Sequence, residues 1–329
     1  MIAAKGLPVA TAIAGLPFPD YRALPGLNWS TLKHALRSQA HLAACLAGTL
    51  DDPDTLSRRS LRAVHAAVLE PHQYERQYAV WAGRRAGKEY EAAAGAAGAP
   101  EYLTVAEDAH ARAVAAAVHG HPAAGLLLRA PGVVTELTVR WSETSLGHVI
   151  ECKGRLDAFA PRGCVALWPD GLPVVVDLKA VPAVGSPARL ASEIARRDYA
   201  AQLAHYAAGM RAVWEARSGA APWPGARLVI IAYETRPMPD VAVVDLGVLG
   251  AQEGRDGDAA YLGGVRRAEA LEKAAPVLQA MALDGLTAGA RGWPGQAPGV
   301  VEVGVPGWAY GDDEDEDAAH SGLEVDGEP

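Results

Sequence analysis

Apolar and polar residues alternate along three segments near the middle of the chain, which is the pattern of strands buried on one face. The segments are GVVTELTVRW, HVIECKGRLDAFA and PVVVDLKA, and turn-forming residues separate them. Two more strand-like segments, ARLVIIAYET and DVAVVDL, follow a long helical stretch over residues 188–217. Another helix is predicted over residues 259–283. This order of elements predicts a single mixed α/β domain built on a central sheet.

Three helices are predicted ahead of these strands. The first spans NWSTLKHALRSQAHLAACLAG, with Ser30 as its expected N-cap. The second, in DDPDTLSRRSLRAVHAAVLEP, is expected to end before Pro71, because proline does not continue a helix. The third begins at Thr104, which is expected to form a capping box with Glu107. Residues 82–100, between the second and third helices, are rich in Ala and Gly and are expected to form a loop.

The length of 329 residues suits one large domain with a sizeable core. No apolar run approaches the ~18 residues that a membrane-spanning helix needs, so no membrane partner is expected. Cys45, Cys152 and Cys164 have no paired spacing, which favours free thiols in a reducing cytoplasm. Residues 1–26 contain an apolar stretch broken by Gly and Pro, which favours a flexible N-terminal extension over a secretory signal.

Acidic residues are concentrated at the C-terminal end. The formal net charge is −9, and residues 310–329 contain nine acidic residues and no Lys or Arg. Removing these nine from the 39 acidic residues leaves 30, which equals the number of Lys and Arg. Residues 310–329 are therefore expected to be a disordered acidic tail, and residues 27–309 the folded domain. The tail is expected to act in solvation, and the alternative is a DNA mimic that competes for the basic channel or docks a partner such as an annealing protein. The overall charge does not exclude a nucleic-acid partner.

In PVVVDLKAV, Asp177 and Lys179 share one face of a strand, because side chains two positions apart project together. Val174, Val176 and Leu178 would occupy the opposite face. An ion pair at the end of a buried strand is one interpretation of this pattern. A metal-binding acid beside a catalytic lysine is the other.

Two more acids lie on neighbouring predicted strands. Asp157 projects with Arg155 on the strand before Asp177, and Glu136 lies on the strand before that. Mg²⁺ prefers carboxylate oxygens and keeps several waters where a phosphate can complete its coordination. A lysine two positions beyond a ligand can hydrogen-bond the attacking water and offset charge that develops on phosphorus. The three acids with Lys179 are therefore what metal-dependent phosphodiester hydrolysis needs, with an ordinary surface ion pair as the alternative interpretation of this short pattern.

Two predicted helices carry further candidate residues. Arg58, Arg62 and His65 follow one helical face, which suits an imidazole near a metal and arginines near phosphates. A packed or solvated histidine is the alternative interpretation. Gln202 and Tyr206 are about one helical turn apart, and an amphipathic helix at the edge of the core also explains them.

Taken together, these segments resemble the phage and prophage RecE-type exonucleases (exonuclease VIII), which are RecB-like members of the PD-(D/E)XK nuclease superfamily. The resemblance follows the ordered motifs LNWSTLKHALRSQAHLAACLAG, AVHAAVLEPHQYERQY, GKEYEAA, TELTVRW, CKGRLDAF, VVDLKA and YAAQLAHYAAGM. It extends over residues 27–308. It implies a restriction-endonuclease-like α/β core, in which helices flank a central mixed β-sheet.

The resemblance also implies roles for individual residues. Asp157 and Asp177 would bind the metal with the carbonyl of Leu178, His65 and Glu136 would lie at the metal, and Lys179 would be the catalytic lysine. The residues expected to support the site or to bind DNA are Gln202, Tyr206, Arg58, Arg62 and Arg155. The implied cofactor is Mg²⁺, for which Mn²⁺ would substitute.

The resemblance further implies digestion of linear double-stranded DNA in the 5′→3′ direction, leaving a single strand for an annealing protein. The chain would form a homo-oligomer, a ring of three or four copies, in the cytoplasm of a bacterium that carries the phage or prophage. One alternative is a catalytically inactive DNA-binding or assembly module on the same fold. Another is a different RecB-like nuclease. The iron–sulfur kind needs four cysteine ligands, and this chain has three cysteines.

Overall fold

A six-stranded β-sheet with helices on both faces forms the centre of the part of the chain that the computed structural model describes. The described residues are 10–50, 56–96, 98–218, 222–250 and 259–283. The strands are β1 (Thr11–Ile13), β2 (Tyr78–Val80), β3 (Glu101–Leu103), β4 (Val134–Ser145), β5 (His148–Ala160), β6 (Val174–Val181), β7 (Ala226–Glu234) and β8 (Val241–Leu249). The predicted mixed α/β class with a central sheet is confirmed.

The strand order in the central sheet is β1-β4-β5-β6-β7-β8. Strands β6 and β7 are parallel, and the other neighbours are antiparallel. Strands β2 and β3 form a separate parallel pair. The pairing of β5 with β6 runs only from Ala160↔Val174 to Ala158↔Val176. The two strands therefore separate at the next residue of each, Asp157 and Asp177, which opens a notch in the sheet.

The helices cover both faces of the sheet. They are α1 (Phe18–Ala23), α2 (Trp29–Leu32), α3 (His34–Arg37), α4 (Gln39–Leu46), α5 (Leu56–Leu69), α6 (Pro71–Gln77), α7 (Lys88–Ala94), α8 (Val105–Gly120), α9 (Pro122–Leu128), α10 (Pro187–Arg196), α11 (Tyr199–Ser218) and α12 (Ala259–Leu283). Leu203 of α11 and Leu271 of α12 belong to one buried core with Leu156 of β5. Val64 of α5 belongs to a second core with Val176 of β6.

The alternation predicted for β6 is confirmed. Val174, Val176 and Leu178 pack into the core beneath α5 and α8, whereas Val175 packs into the core beneath α11. Burial of alternate valines on the two faces fixes the register, because a slip by one residue would exchange the faces. Asp177 is consequently directed towards α11.

The N-terminal helical region differs from the prediction in its detail. The single helix expected from residue 28 is three short helices, of which α2 is capped by Asn28 and α4 by Ser38, and not by Ser30. The Asn28 side chain accepts a hydrogen bond from the Thr31 N–H at 2.9 Å. Two competing caps within eleven residues explain why one continuous helix does not form.

Three other helical predictions have mixed outcomes. The capping box of Thr104 and Glu107 at the start of α8 is confirmed. Residues 82–100 are not only loop, because they contain α7. The long helix expected over residues 188–217 is broken into α10 and α11 at Asp198, whose φ of 54° lies in the left-handed region that ends right-handed helices.

The interpretation of residues 1–26 as a flexible extension does not hold for the part that the structure describes. Strand β1 pairs with β4, and Leu27 forms an isolated bridge with Cys152. The Lys153 ammonium group donates hydrogen bonds to the carbonyl oxygens of Tyr21 (3.3 Å), Arg22 (3.1 Å) and Leu24 (2.5 Å). These long-range contacts fix a segment whose composition alone indicates a loop.

No helix in the described part of the chain is both long enough and apolar enough to cross a membrane. The predicted acidic tail, residues 310–329, lies outside the described residues. The last residues of the predicted domain, 284–309, also lie outside them.

Candidate metal centre

Three side chains from different elements converge beside the notch between β5 and β6. His65 comes from α5, Glu136 from β4 and Asp157 from β5. One ligand atom from each lies within 4.8 Å of the corresponding atoms of the other two. Two carboxylates and an imidazole at this spacing match the donor set of a divalent-cation site.

Asp157 is anchored at the point where the two strands separate. Its Oδ2 accepts a hydrogen bond of 2.6 Å from the Leu178 N–H. This side-chain contact replaces the backbone pairing between β5 and β6, which ends at Ala158 and Val176. Burial, and then the negative charge of Asp177, raise the pKa of the Asp157 carboxyl to about 8. A buried acid beside a second acid is stabilised in its charged form when a cation binds.

His65 faces the other oxygen of this carboxylate. Its Nδ1 lies 3.7 Å from Asp157 Oδ1, and its side chain is half-buried. Burial lowers the pKa of His65, against the opposing effect of the Glu136 charge. A neutral imidazole has a free nitrogen lone pair, which is the form that binds a metal.

Glu136 lies opposite Asp157 in the β4–β5 register, but its backbone is unusual. Its φ of 51° is in the left-handed region, and it is skipped in the ladder between Thr135↔Ala158 and Leu137↔Leu156. Burial, and then the charge of Asp157, raise the pKa of Glu136. Such strain persists only where surrounding contacts hold it, and it is frequent at functional sites. Here Arg155 supplies the contact, since its Nε donates a hydrogen bond to Glu136 Oε2.

Asp177 and Lys179 form an ion pair next to the cluster, with 2.5 Å between Lys179 Nζ and Asp177 Oδ2. Asp177 is 1% exposed. Burial alone would lower the pKa of Lys179, but the charges of Asp177 and Asp157 outweigh it, and the pKa is raised. Lys179 is therefore a protonated donor at the edge of the site. The Tyr199 ring, whose centroid is 5.0 Å from Lys179 Nζ, packs against the ammonium group.

Gln202 contacts the carboxylate oxygen of Asp177 that does not pair with Lys179. Its Nε2 donates to Asp177 Oδ1 at 3.2 Å and to the Tyr206 hydroxyl at 2.7 Å. Tyr206 is buried. The structure therefore brings both residues predicted on this helix to the site, Gln202 in contact with Asp177 and Tyr206 behind it.

Several predicted residues lie outside the three-residue cluster. Asp177 is not one of its members, because its carboxylate is directed to Lys179 and Gln202. Arg62 lies 3.6 Å from Glu101 Oε1 on β3. The side chain of Arg58 lies outside the described residues. The backbone of Leu178 lies beside the cluster, since its N–H donates a hydrogen bond to Asp157 Oδ2.

Arg155, which the resemblance implies would support the site or bind DNA, contacts the Glu136 carboxylate of the cluster. Its side chain is 12% exposed, and it contacts Glu136, the Leu16 carbonyl and, at 3.9 Å, Glu70. The contacts to Glu70 and Leu16 were not predicted, because they join distant parts of the chain. The sequence carries one signal of the contact to the Leu16 carbonyl, since Pro17 and Pro19 restrict the backbone immediately after Leu16.

The residues present fit a hard divalent cation better than a soft metal cluster. Asp157 and Glu136 offer carboxylate oxygens, and burial, followed by the charge of a neighbouring acid, raises the pKa of both. Within the described residues the three cysteines are free thiols, and they form no ligand group with one another. The thiols of Cys152 and Cys164 are buried.

No family model matches the chain, and no curated protein is detectably similar to it in sequence. The chain is structurally similar to a crystal structure of a protein from Eubacterium rectale that is named as a candidate exonuclease. The similar region covers 80% of this chain and 87% of the Eubacterium rectale chain. The identity is 12% and the TM-score is 0.48. A likeness of this size does not establish a shared function.

Proposed function

We propose that this chain is a metal-dependent nuclease that hydrolyses phosphodiester bonds of DNA. The observation that carries the proposal is the convergence of His65, Glu136 and Asp157, with the Lys179 ammonium group alongside. A divalent cation at these ligands would neutralise the buried carboxylates, polarise a phosphate oxygen and lower the pKa of a bound water. Asp177, which contacts both Lys179 and Gln202, would keep the Lys179 ammonium group in place beside the cluster.

The chain's own residues would supply positioning and charge. Lys179 is held protonated by Asp177 and Asp157, so that its ammonium group can donate a hydrogen bond to a phosphate oxygen as negative charge develops there. Gln202 fixes Asp177 Oδ1, which leaves the other oxygen of Asp177 for Lys179. The Leu178 N–H fixes one oxygen of Asp157, which leaves the other oxygen to face His65. Such fixed geometry is what accelerates an in-line displacement.

The resemblance to RecE-type exonucleases extends the proposal to a specific activity. We propose digestion of linear double-stranded DNA from 5′ ends with Mg²⁺ or Mn²⁺, which leaves a single strand for an annealing protein. A homo-oligomeric ring in the cytoplasm of a bacterial host is the corresponding assembly and location. The motifs that resemble PD-(D/E)XK nucleases support this part of the proposal. Among them, VVDLKA carries Asp177 and Lys179, which form an ion pair.

The test is degradation of an end-labelled linear duplex, with and without Mg²⁺ or Mn²⁺, beside a closed circular duplex. Metal-dependent loss of the linear form alone is expected. The Lys179→Ala and Asp157→Asn variants should each lose about 10³-fold or more in rate. Lys273→Ala, an exposed lysine on α12, is the control and should retain full activity.

Two outcomes would contradict the proposal. A wild-type chain that leaves linear duplex intact with both metals but binds it would favour the inactive DNA-binding module. Cleavage that persists in Lys179→Ala would place the chemistry elsewhere. The choice of end label separates 5′→3′ from 3′→5′ digestion.

A further inference from the structure

Among the Phe, Tyr and Trp side chains in the described part of the chain, Phe18 is the most exposed, at 45%. Leaving a phenyl ring in water forgoes the burial that normally stabilises it. Ile13, at 37%, is the other exposed large apolar residue of the N-terminal segment. Two such side chains make a patch far smaller than the ~800 Å² per partner of a stable protein interface.

The backbone that carries the exposed ring is fixed at both ends. Phe18 lies between Pro17 and Pro19, whose rings fix φ on both sides of it. The carbonyl of Leu16, just before this segment, accepts a hydrogen bond of 2.6 Å from Arg155 Nη1. At the other end of α1, Lys153 binds three backbone carbonyl oxygens. Two cations of β5 therefore fix both ends of the short segment that carries Phe18.

The same contacts place the ring next to the candidate metal centre. The Arg155 guanidinium group lies 5.8 Å from the centre of the Phe18 ring and also contacts the Glu136 carboxylate. A single side chain, Arg155, thus separates the exposed ring from the cluster of His65, Glu136 and Asp157. The cation packs against one side of the ring, and much of the remaining ring surface is exposed to solvent.

We propose that Phe18 is a base-stacking residue, which receives a base of the DNA strand near the phosphate held at the metal centre. This inference rests on the proposed nuclease function. Every base has a flat π-face, so that a phenyl ring binds it without regard to sequence. A base lies within one nucleotide of the phosphate to which it is attached, which matches a ring one side chain away from the ligands. A stacked base fixes the strand, so that the scissile phosphate is held at Lys179.

The experiment measures binding of a labelled oligonucleotide duplex with Ca²⁺ in place of Mg²⁺, because Ca²⁺ occupies oxygen-ligand sites with a different coordination geometry. Phe18→Leu keeps an apolar side chain of similar size without the π-face. It should weaken binding roughly tenfold, whereas Phe18→Tyr should stay within about twofold of wild type. The control Leu126→Ala, which removes an equally exposed side chain on α9, should have no effect.

An abasic spacer, moved one nucleotide at a time from the duplex end, identifies the stacked base. At one position the spacer should weaken wild-type binding roughly tenfold. The same spacer should not weaken Phe18→Leu further, because the two changes remove one contact. Since Phe18 is half-exposed, the leucine variant should melt within about 2 °C of wild type.

The outcomes distinguish this inference from the proposed function. If wild type cleaves DNA and Phe18→Leu binds as wild type does, the inference is wrong and the nuclease proposal stands. If spacer and substitution weaken binding independently, Phe18 contacts no base and the inference is also wrong. If wild type neither binds nor cleaves DNA with any of these metals, both proposals fail together.

Discussion

The Asp157 carboxylate accepts a hydrogen bond from the backbone N–H of Leu178 at 2.6 Å, at the point where β5 and β6 separate. This contact joins the acid of one strand to the residue between Asp177 and Lys179 on the next. It explains how a gap in a sheet can hold acidic side chains without leaving the adjacent N–H group unpaired. The candidate metal centre therefore depends on an interruption in the sheet as much as on the identity of its ligands.

Asp157 makes the stability of the metal-free protein depend on pH. Its pKa is raised in the folded chain from 3.8 to about 8, so the folded state keeps a proton that the unfolded state loses. Between about pH 4 and pH 8, the contribution of Asp157 to the free energy of unfolding should therefore fall as pH rises. Bound Mg²⁺ favours the charged carboxylate, so the stabilisation by Mg²⁺ should be larger at pH 8 than at pH 6. Thermal melts at both pH values, with Mg²⁺ and with EDTA, measure this difference.

The control for the pH experiment is Asp157→Asn, which removes the titrating group and keeps an oxygen for the Leu178 N–H. In this variant the metal-free protein should be at least as stable as wild type at pH 8. The extra stabilisation by Mg²⁺ at pH 8 should be lost. An equal effect of Mg²⁺ at the two pH values in wild type would show that Asp157 is not a ligand.

Gln202 is expected to act by positioning Asp177. Gln202→Leu leaves Asp177 Oδ1 without its donor in a buried place, so the cleavage rate should fall about 10- to 100-fold. Tyr206→Phe removes only the hydroxyl contact to Gln202 at 2.7 Å, and it should cost less than tenfold. Steady-state kinetics on linear duplex measure both variants. Equal losses in the two variants would mean that the helix supports the site through packing alone.

Lys153 is expected to fix the N-terminal segment. Lys153→Met leaves three carbonyl oxygens without their shared donor and should lower the free energy of unfolding by about 2 kcal/mol. Faster amide hydrogen exchange should appear at residues 21–24 before any change at β7. Lys33→Met, at an exposed lysine, is the matched control for denaturant unfolding. Unchanged exchange in residues 21–24 would show that other contacts hold the segment.

Much of the fold could be predicted because the decisive signals are local. Alternate valines in β6 placed Asp177 and Lys179 on the face opposite Leu178, and the structure has this arrangement. The capping box of Thr104 and Glu107 is a four-residue pattern, and it too is present. Such patterns need no knowledge of the rest of the chain.

The remaining features depend on contacts between residues far apart in sequence. Strand β1 has three residues, and only its pairing with β4 makes it a strand. The φ of 51° at Glu136 is held by the Arg155 contact, which no local pattern encodes. Arg155 was expected to support the site or to bind DNA, but its partners at positions 16, 70 and 136 are far from it in sequence and no local pattern identifies them. Tertiary contacts of this kind override local propensity.

The central claim is that His65, Glu136 and Asp157 hold one divalent cation together. Electron paramagnetic resonance of Mn²⁺ tests it most directly, because bound Mn²⁺ loses the signal of the free ion. Titration of the wild-type chain should show saturable binding, and Asp157→Asn and His65→Ala should each weaken it at least tenfold. Wild-type protein that leaves all Mn²⁺ free, or variants that bind as tightly as wild type, would contradict the claim.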